Sequence, residues 1–381
     1  MSGRHALRDP EASVRHYLPG GRENGGGIGR LAGYVIDAAA ARGERHLVTD
    51  TRGPTWRSPA APARFLGALL VMATDRVTAH DRVHHIHVAG RGSTPRKVVL
   101  AAFARLLGCV HVLHLHDYDY ATDLARRPAW QRALIARMFR GAAFVLVLGS
   151  GDRAVVRDRL GVADTRVIVL ANAVPDPRPR SPADAGATTA ERGEPSARAD
   201  GGPPRIVFLG RLCERKGVPE LLEALSGPWM RPLSWRAVLA GDGPVEAFRR
   251  EAERLGIADR VSMPGWIDET RARALCAEAD ILVSASHHEG LAMAVLEGLA
   301  HGLAVVATPV GAHPETVADA VVMVPPGDPG ALGVALARLV AEPAERQRLG
   351  SRARALFLER FDIDRYMSRL ARIHDAARAA S

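Results

Sequence analysis

The chain reads as two doubly wound α/β domains in series, and three observations predict it. Its 381 residues exceed one ordinary hydrophobic core and fit two. Short β-type runs alternate with longer amphipathic helical runs through both halves, the pattern of parallel sheets covered by helices. Between the halves, residues 175–204 are rich in Pro, Arg, Ala, Gly and Asp without hydrophobic periodicity, and read as an exposed, disordered linker. The expected division is 1–175, a linker at 176–204, a second domain at 205–355 and a terminal helical segment at 356–381.

A hydrophobic content of 47% with 24% charged residues is that of a soluble globular protein. No apolar run reaches the ~20 residues of a membrane span. The first residues lack an apolar signal core, and Cys109, Cys213 and Cys276 stand apart without metal or redox spacing, so a cytoplasmic, reducing location is expected. The net charge of +9 is uneven: residues 1–175 hold 25 basic side chains against 14 acidic ones, and the remainder 26 against 28. A basic first half predicts an anionic partner there, with nucleic acid and lipid headgroups both candidates. An aromatic content of 5% argues against a stacking platform for single strands. Of 51 basic residues, 49 are arginine; Lys97 and Lys216 mark places where a compact ammonium is wanted instead of a guanidinium fork.

In order, Asn24–Arg30 is a glycine-rich loop opening a helix over Leu31–Arg42, and its glycines permit close backbone approach to a ligand. The polar residues and Pro19 before it hide any first strand. His46–Thr49 is a strand, Arg64–Asp75 a helix with an apolar stripe, and Val83–Val88 a buried strand. Thr94 followed by Pro95 predicts a capped helix start. Ser93, Thr94, Arg96 and Lys97 crowd that start, which suits an anion such as an acceptor phosphate; a capped helix with a solvated basic turn is the competing reading. Val110–Leu115 is a strand running into His114-Leu-His116-Asp117-Tyr-Asp119. Here the histidines read either as hydrogen-bonded core groups or, with Asp117 and Asp119, as metal ligands. Trp130–Arg140 divides on a helical wheel into an apolar half and an arginine half, as expected for a helix packed on a sheet; an anionic membrane surface would suit the same helix. Phe144–Leu148 and Val167–Leu170 complete the strands of this half.

The second half opens with the strand Arg205–Leu209, which runs into Gly210-Arg211-Leu-Cys-Glu-Arg-Lys216-Gly217 and a helix over Val218–Leu225. A strand end, two glycines and two cations converge there on one anion. The strand Trp235–Leu239 leads to the turn Gly241–Pro244, and Val261–Met263 to the turn Pro264–Trp266. After a helix over Arg271–Ala279 and a strand over Ile281–Ser284 comes the stretch Ser284–Glu315. It holds a loop ending in Glu289-Gly290, an apolar helix carrying Glu297, the strand Leu303–Thr308 and a glycine turn reaching Glu315. The helix start behind Gly290 attracts an anion, whereas Glu289 and Glu297, eight residues apart, suit hydroxyl groups. The implied ligand joins phosphate to a polyol, as a nucleotide sugar does.

The spacing Glu289-x7-Glu297, with the following G-x-A-V-V-A and Gly311-x-x-Pro-Glu315 segments and with Gly210-Arg-Leu-x3-Lys216-Gly, resembles retaining GT-B glycosyltransferases of family 4 (glycosyltransferase group 1), of the bacterial polysaccharide-biosynthesis type. The resemblance implies the GT-B fold: two Rossmann-like domains facing a central cleft, the first binding acceptor and the second nucleotide sugar, with a last helix crossing back to the first. It assigns Arg211 and Lys216 to the leaving diphosphate, Glu289 to the transferred sugar, Glu297 to the ribose and His116 to the reacting face. Gly27, Gly210, Gly241, Gly290 and Leu291 complete the donor set, and Ser93, Thr94, Arg96 and Lys97 the acceptor set. No metal and no cofactor are implied; the nucleotide sugar, UDP- or GDP-linked, is a co-substrate. The acceptor would be a glycan or polyprenyl-linked intermediate of exopolysaccharide or envelope synthesis, met in the cytoplasm or at the inner face of the plasma membrane, with no nucleic-acid partner. Two alternatives stay open: a sugar phosphorylase or synthase on the same fold, and a non-catalytic basic protein binding nucleotides or nucleic acid.

Overall fold

Two units emerge from the computed structural model, which describes residues 14–22, 25–55, 59–117, 119–178 and 201–380. One comprises residues up to Ala171 together with those from Ile363 onward; the other is Asn172–Asp362. Most of the expected linker, 179–200, lies outside the described residues, as does Asn24 of the glycine-rich loop.

The first unit is built on six described strands: β1 (Val14–Leu18), β2 (His46–Asp50), β3 (Val83–Val88), β4 (His111–Leu115), β5 (Val145–Val147) and β6 (Val167–Val169). All pair in parallel, in the order β2-β1-β3-β4-β5-β6. Its helices are α1 (Gly26–Ala41), α2 (Ala61–Thr78), α3 (Thr94–Leu106), α4 (Tyr120–Ala125), α5 (Ala129–Arg140) and α6 (Ser150–Ala154). The strand that its polar sequence hides is β1, buried between β2 and β3. Its polar side chains are satisfied inside the fold: Arg15 donates to Asp75 at 3.0 Å, and His16 meets two other histidines. The glycine-rich segment also differs from expectation, since the helix begins at Gly26 and not Leu31.

Side chains alternate across a strand, so each face of this sheet has its own character. Tyr17, Ile86, Val88, Leu113 and Leu115 share an apolar core with Met72, Leu100, Ile135, Met138 and Phe139 from α2, α3 and α5. His16, His85, His87 and His114 lie on the opposite side, where His16 sits beside His85 and His87 beside His114 in register.

The second unit has the strands β7 (Arg205–Leu209), β8 (Arg236–Ala240), β9 (Val261–Gly265), β10 (Ile281–Ser284), β11 (Ala304–Ala307) and β12 (Val321–Met323), in the order β12-β11-β10-β7-β8-β9. Its helices are α7 (Val218–Ser226), α8 (Val245–Arg254), α9 (Glu269–Glu278), α10 (Met293–His301), α11 (His313–Thr316), α12 (Pro329–Ala341) and α13 (Pro343–Arg360). Phe208, Leu221, Leu225, Trp235, Val283 and Leu336 fill its core. The chain reverses strand order between β7 and β10, and the crevice beyond such neighbouring strand ends is where open α/β sheets bind ligands. The final helix, α14 (Ile363–Ala379), belongs to the first unit and packs on α1, β3 and β4.

Candidate active site

Three loops of the second unit converge at the C-terminal ends of β7, β10 and β11. The loops after β7 and β10 are joined twice: the His287 amide donates to the Arg215 carbonyl at 2.9 Å, and Arg215 Nη1 donates to the His288 carbonyl at 2.9 Å. Gly217, at φ 69°, makes the closest approach; a Cβ there would stand 2.0 Å from the Ala285 carbonyl oxygen. The loop after β11 joins them through the Ala312 amide, which donates to the Gly290 carbonyl at 2.8 Å. Gly311, at φ 56°, is equally constrained, since its Cβ would fall 2.0 Å from the Glu289 carbonyl oxygen. Local charge and glycine placement therefore fix this junction before any ligand enters.

Lys216, Arg215 and Glu289 meet at the junction. The Lys216 ammonium is paired directly with the Glu289 carboxylate, and Arg215 Nη1 lies 3.7 Å from the same oxygen. The Lys216 stem runs beside Gly210. The roles expected separately for Lys216 and Glu289 are thus coupled: an anion that takes Lys216 competes with Glu289 for it. Arg211 points elsewhere, 61% exposed and 3.2 Å from Asp242. Gly210 and Gly241 touch across β7 and β8, where a Cβ on Gly241 would lie 1.8 Å from the Gly210 carbonyl oxygen. Gly290 occupies the bend before α10, Leu291 is buried, and Glu297 is a half-buried acid on an otherwise apolar helix.

Four contributors at this junction are not among the expected site residues. His313, fully buried, accepts from the Ala292 amide at 3.2 Å through Nε2, while its Nδ1 lies 3.0 Å from the Thr308 carbonyl. One amide at the start of α10 is therefore already satisfied, leaving fewer to meet an anion than the sequence suggests. Burial pulls the His313 pKa down, against the hydrogen bond to Thr308. His287 Nε2 contacts Glu220 at 2.7 Å, Arg215 braces Glu289, and Asn172 donates to the Leu291 carbonyl at 2.9 Å. His313 stands within Gly311-x-x-Pro-Glu315 and Arg215 next to Lys216, so position in the motifs was the available signal.

In the first unit the anticipated acceptor cluster is not an open cationic surface. Lys97 is 0% exposed; its Nζ donates to the Tyr17 carbonyl at 3.1 Å and to Thr51 Oγ1 at 3.0 Å. Burial pushes its pKa down to about 7. It ties β1 to the segment after β2 and cannot touch an external phosphate in this arrangement. Ser93 and Thr94 are buried as well, and Thr94 is not the cap: Ser93 occupies that position with helical φ and ψ and no side-chain capping bond. Arg96 is half-buried, and burial followed by Arg52 lowers its pKa. Gly27 sits exposed in the first turn of α1.

His116 follows β4 and is half-buried; its Nε2 lies 2.9 Å from His87 Nδ1, and burial pushes its pKa down to about 3. Asp117, buried behind it, accepts from the Asp119 amide at 2.7 Å and lies 3.8 Å from Arg91. Burial raises its pKa. Among the described residues the groups able to gather around a metal ion contain histidines alone, so Asp117 and Asp119 do not form the carboxylate pair considered above.

Residues 191–356 match the family model described as glycosyl transferases group 1. An alpha-D-kanosaminyltransferase of Streptomyces kanamyceticus is 27% identical over 307 residues, covering 76% of each chain. A 2-deoxystreptamine N-acetyl-D-glucosaminyltransferase of Streptomyces fradiae is 30% identical over 278 residues, covering 69% of this chain and 64% of the relative. Among solved structures, HepE of Anabaena in complex with UDP superposes with a TM-score of 0.70 at 19% identity, over 94% of this chain and 98% of that one. The two parallel six-stranded sheets and this likeness identify the fold as GT-B.

Proposed function

We propose, for a chain whose residues 191–356 match the glycosyl transferases group 1 family model, the transfer of a hexosyl group from a UDP- or GDP-linked sugar to a hydroxyl, with retention of anomeric configuration. One observation carries the reading: Lys216, Arg215 and Glu289 are clustered at the ends of β7 and β10, beside the start of α10. Two cations and helix amides suit a departing diphosphate, while a carboxylate within the same cluster suits sugar hydroxyls. Glu297 takes the ribose, Arg211 the outer diphosphate oxygens, and His116 the reacting sugar. The new bond joins the acceptor oxygen to the anomeric carbon as the bond to the diphosphate breaks, and a diphosphate oxygen takes the acceptor proton. Fixed cations supply the charge stabilisation, so the transfer needs no metal.

The acceptor is a glycan or lipid-linked hydroxyl. The Streptomyces fradiae relative, named for 2-deoxystreptamine, adds that compound to the acceptors worth trying. Among the described residues no helix is long and apolar enough to cross a membrane. Peripheral contact with an anionic membrane is supported by exposed apolar side chains on three neighbouring helices: Leu66 and Leu70 on α2, Leu106 on α3, and Trp130 and Leu134 on α5. The test is a panel of nucleotide sugars assayed for release of nucleoside diphosphate, with and without acceptors. Lys216→Ala should lose turnover by ~100-fold or more while remaining folded; turnover of no donor, or an unaffected variant, overturns the reading.

A further inference from the structure

Seven histidines fill one side of the first unit's sheet: His16, His46, His85, His87, His114 and His374 from five elements, and His116 just after β4. Four form an unbroken file. His46 Nδ1 lies 3.1 Å from His16 Nε2, His16 Nδ1 lies 3.1 Å from His87 Nε2, and His87 Nδ1 lies 2.9 Å from His116 Nε2. At the outer end His46 Nε2 stands 3.7 Å from the carboxylate of Glu44, which is 42% exposed. The branch His374–His85–His114 stops inside, where His114 Nε2 has no partner.

A metal ion is the first reading to weigh, because His16, His85 and His87, and likewise His87, His114 and His116, bring ring nitrogens within 4.8 Å of one another. The spacing favours hydrogen bonds over coordination. Nitrogens held ~2.0–2.1 Å from a tetrahedral ion stand ~3.3 Å apart, whereas the file is spaced at 2.9–3.1 Å, the range of N–H···N hydrogen bonds. Neither trio includes a carboxylate or thiolate to offset a buried divalent charge.

Each contact in the file couples one Nδ1 to one Nε2, so a single tautomer repeated along it satisfies every bond. Burial holds all four rings neutral at pH 7, which lets each donate once and accept once. The direction comes from the ends. Glu44, 3.7 Å away, only accepts and so favours a proton on His46 Nε2; Arg378 of α14, the charged group that after burial lowers the His46 pKa, cannot accept at all. With His46 set, His16, His87 and His116 follow in turn.

We propose that Glu44, His46, His16 and His87 are positioning residues that fix the tautomer of His116, keeping its proton on Nε2 and presenting Nδ1 as a hydrogen-bond acceptor. The acceptor nitrogen would receive a hydroxyl of the sugar or of the acceptor, and that clause alone rests on the transferase reading. The tautomer is measurable without turnover, in long-range proton–nitrogen spectra of the full chain labelled with 15N-histidine. The expected pattern at pH 7.5 is a protonated Nε2 and a bare Nδ1 at His116. Glu44→Gln, at an exposed position, replaces a pure acceptor by an amide able to donate and should populate the reverse tautomer. His16→Leu breaks the file two rings from His116, whereas His16→Gln both donates and accepts and should restore it. In turnover, His16→Leu should lower kcat by ~10-fold or more with KM nearly unchanged, and His16→Gln should recover most of it. A proton on His116 Nδ1 in the wild type overturns the proposal. So do spectra of His116 unmoved by both Glu44→Gln and His16→Leu, or stoichiometric zinc, nickel or copper whose removal shifts these resonances. If no donor is turned over, the spectra still decide the tautomer.

Discussion

The histidine-filled face makes the first unit sensitive to mild acid, and the size of the effect follows from its geometry. Lowering the pH from 7.5 to 5.5 is the perturbation. An unfolded histidine, with a pKa near 6.5, gains most of a proton across that interval. In the folded chain burial holds His46 at about 4 and His116 at about 3, so neither gains one. The folded state therefore binds fewer protons than the unfolded state, and stability falls as pH falls. Each such ring costs about 1.4 kcal/mol over the interval, so these two alone remove about 3 kcal/mol. His16, His85, His87, His114 and His374 are shifted in the same direction, chiefly by burial, and add to the loss. A domain with ~5–15 kcal/mol in hand would approach its unfolding threshold. Urea denaturation followed by circular dichroism at pH 7.5, 6.5 and 5.5 measures this directly. A midpoint that stays level or rises on acidification would refute the reasoning, because it requires the rings to be protonated, or exposed, in the folded state.

Three further outcomes follow from the second unit and from the helical surface. Gly311→Ala places a Cβ against the carbonyls of Glu289 and Gly290 at a left-handed φ, and should cost ~2 kcal/mol or more in thermal unfolding. Glu289→Gln frees Lys216 from its carboxylate partner, so UDP titrated by calorimetry should bind at least as tightly as to the wild type while sugar transfer falls by ~10-fold or more. Replacing Trp130 and Leu134 together by Ser should leave the fold intact and reduce flotation with vesicles containing anionic lipid, since both side chains are exposed on α5.

Much of the second unit was legible in advance because its constraints are local. Gly210, Gly217 and Gly311 each stand at a strand-to-helix turn whose backbone geometry the residue type itself announces. Glu289 falls on the loop and Glu297 within α10, where their eight-residue spacing puts them. Less legible was partnership. Nothing near Lys216 in the sequence says that its ammonium meets Glu289, 73 residues away, and not a free anion. The same limit explains Lys97, whose neighbours Arg96 and Thr94 suggest a basic helix start, although its amine turns inward to reach Tyr17 and Thr51. β1 was hidden because its polar residues look like loop residues until their buried partners are known.

By itself the sequence determined the alternation of strand and helix, and with it two doubly wound sheets, as well as the glycines and charges at the ends of β7, β10 and β11. Periodicity and turn chemistry act over a few residues, so they survive being read along a line. Only the tertiary structure decided that His16, His46, His85, His87, His114, His116 and His374 share one layer. Strand register and the return of α14 set those neighbours, and both depend on residues far apart in the chain.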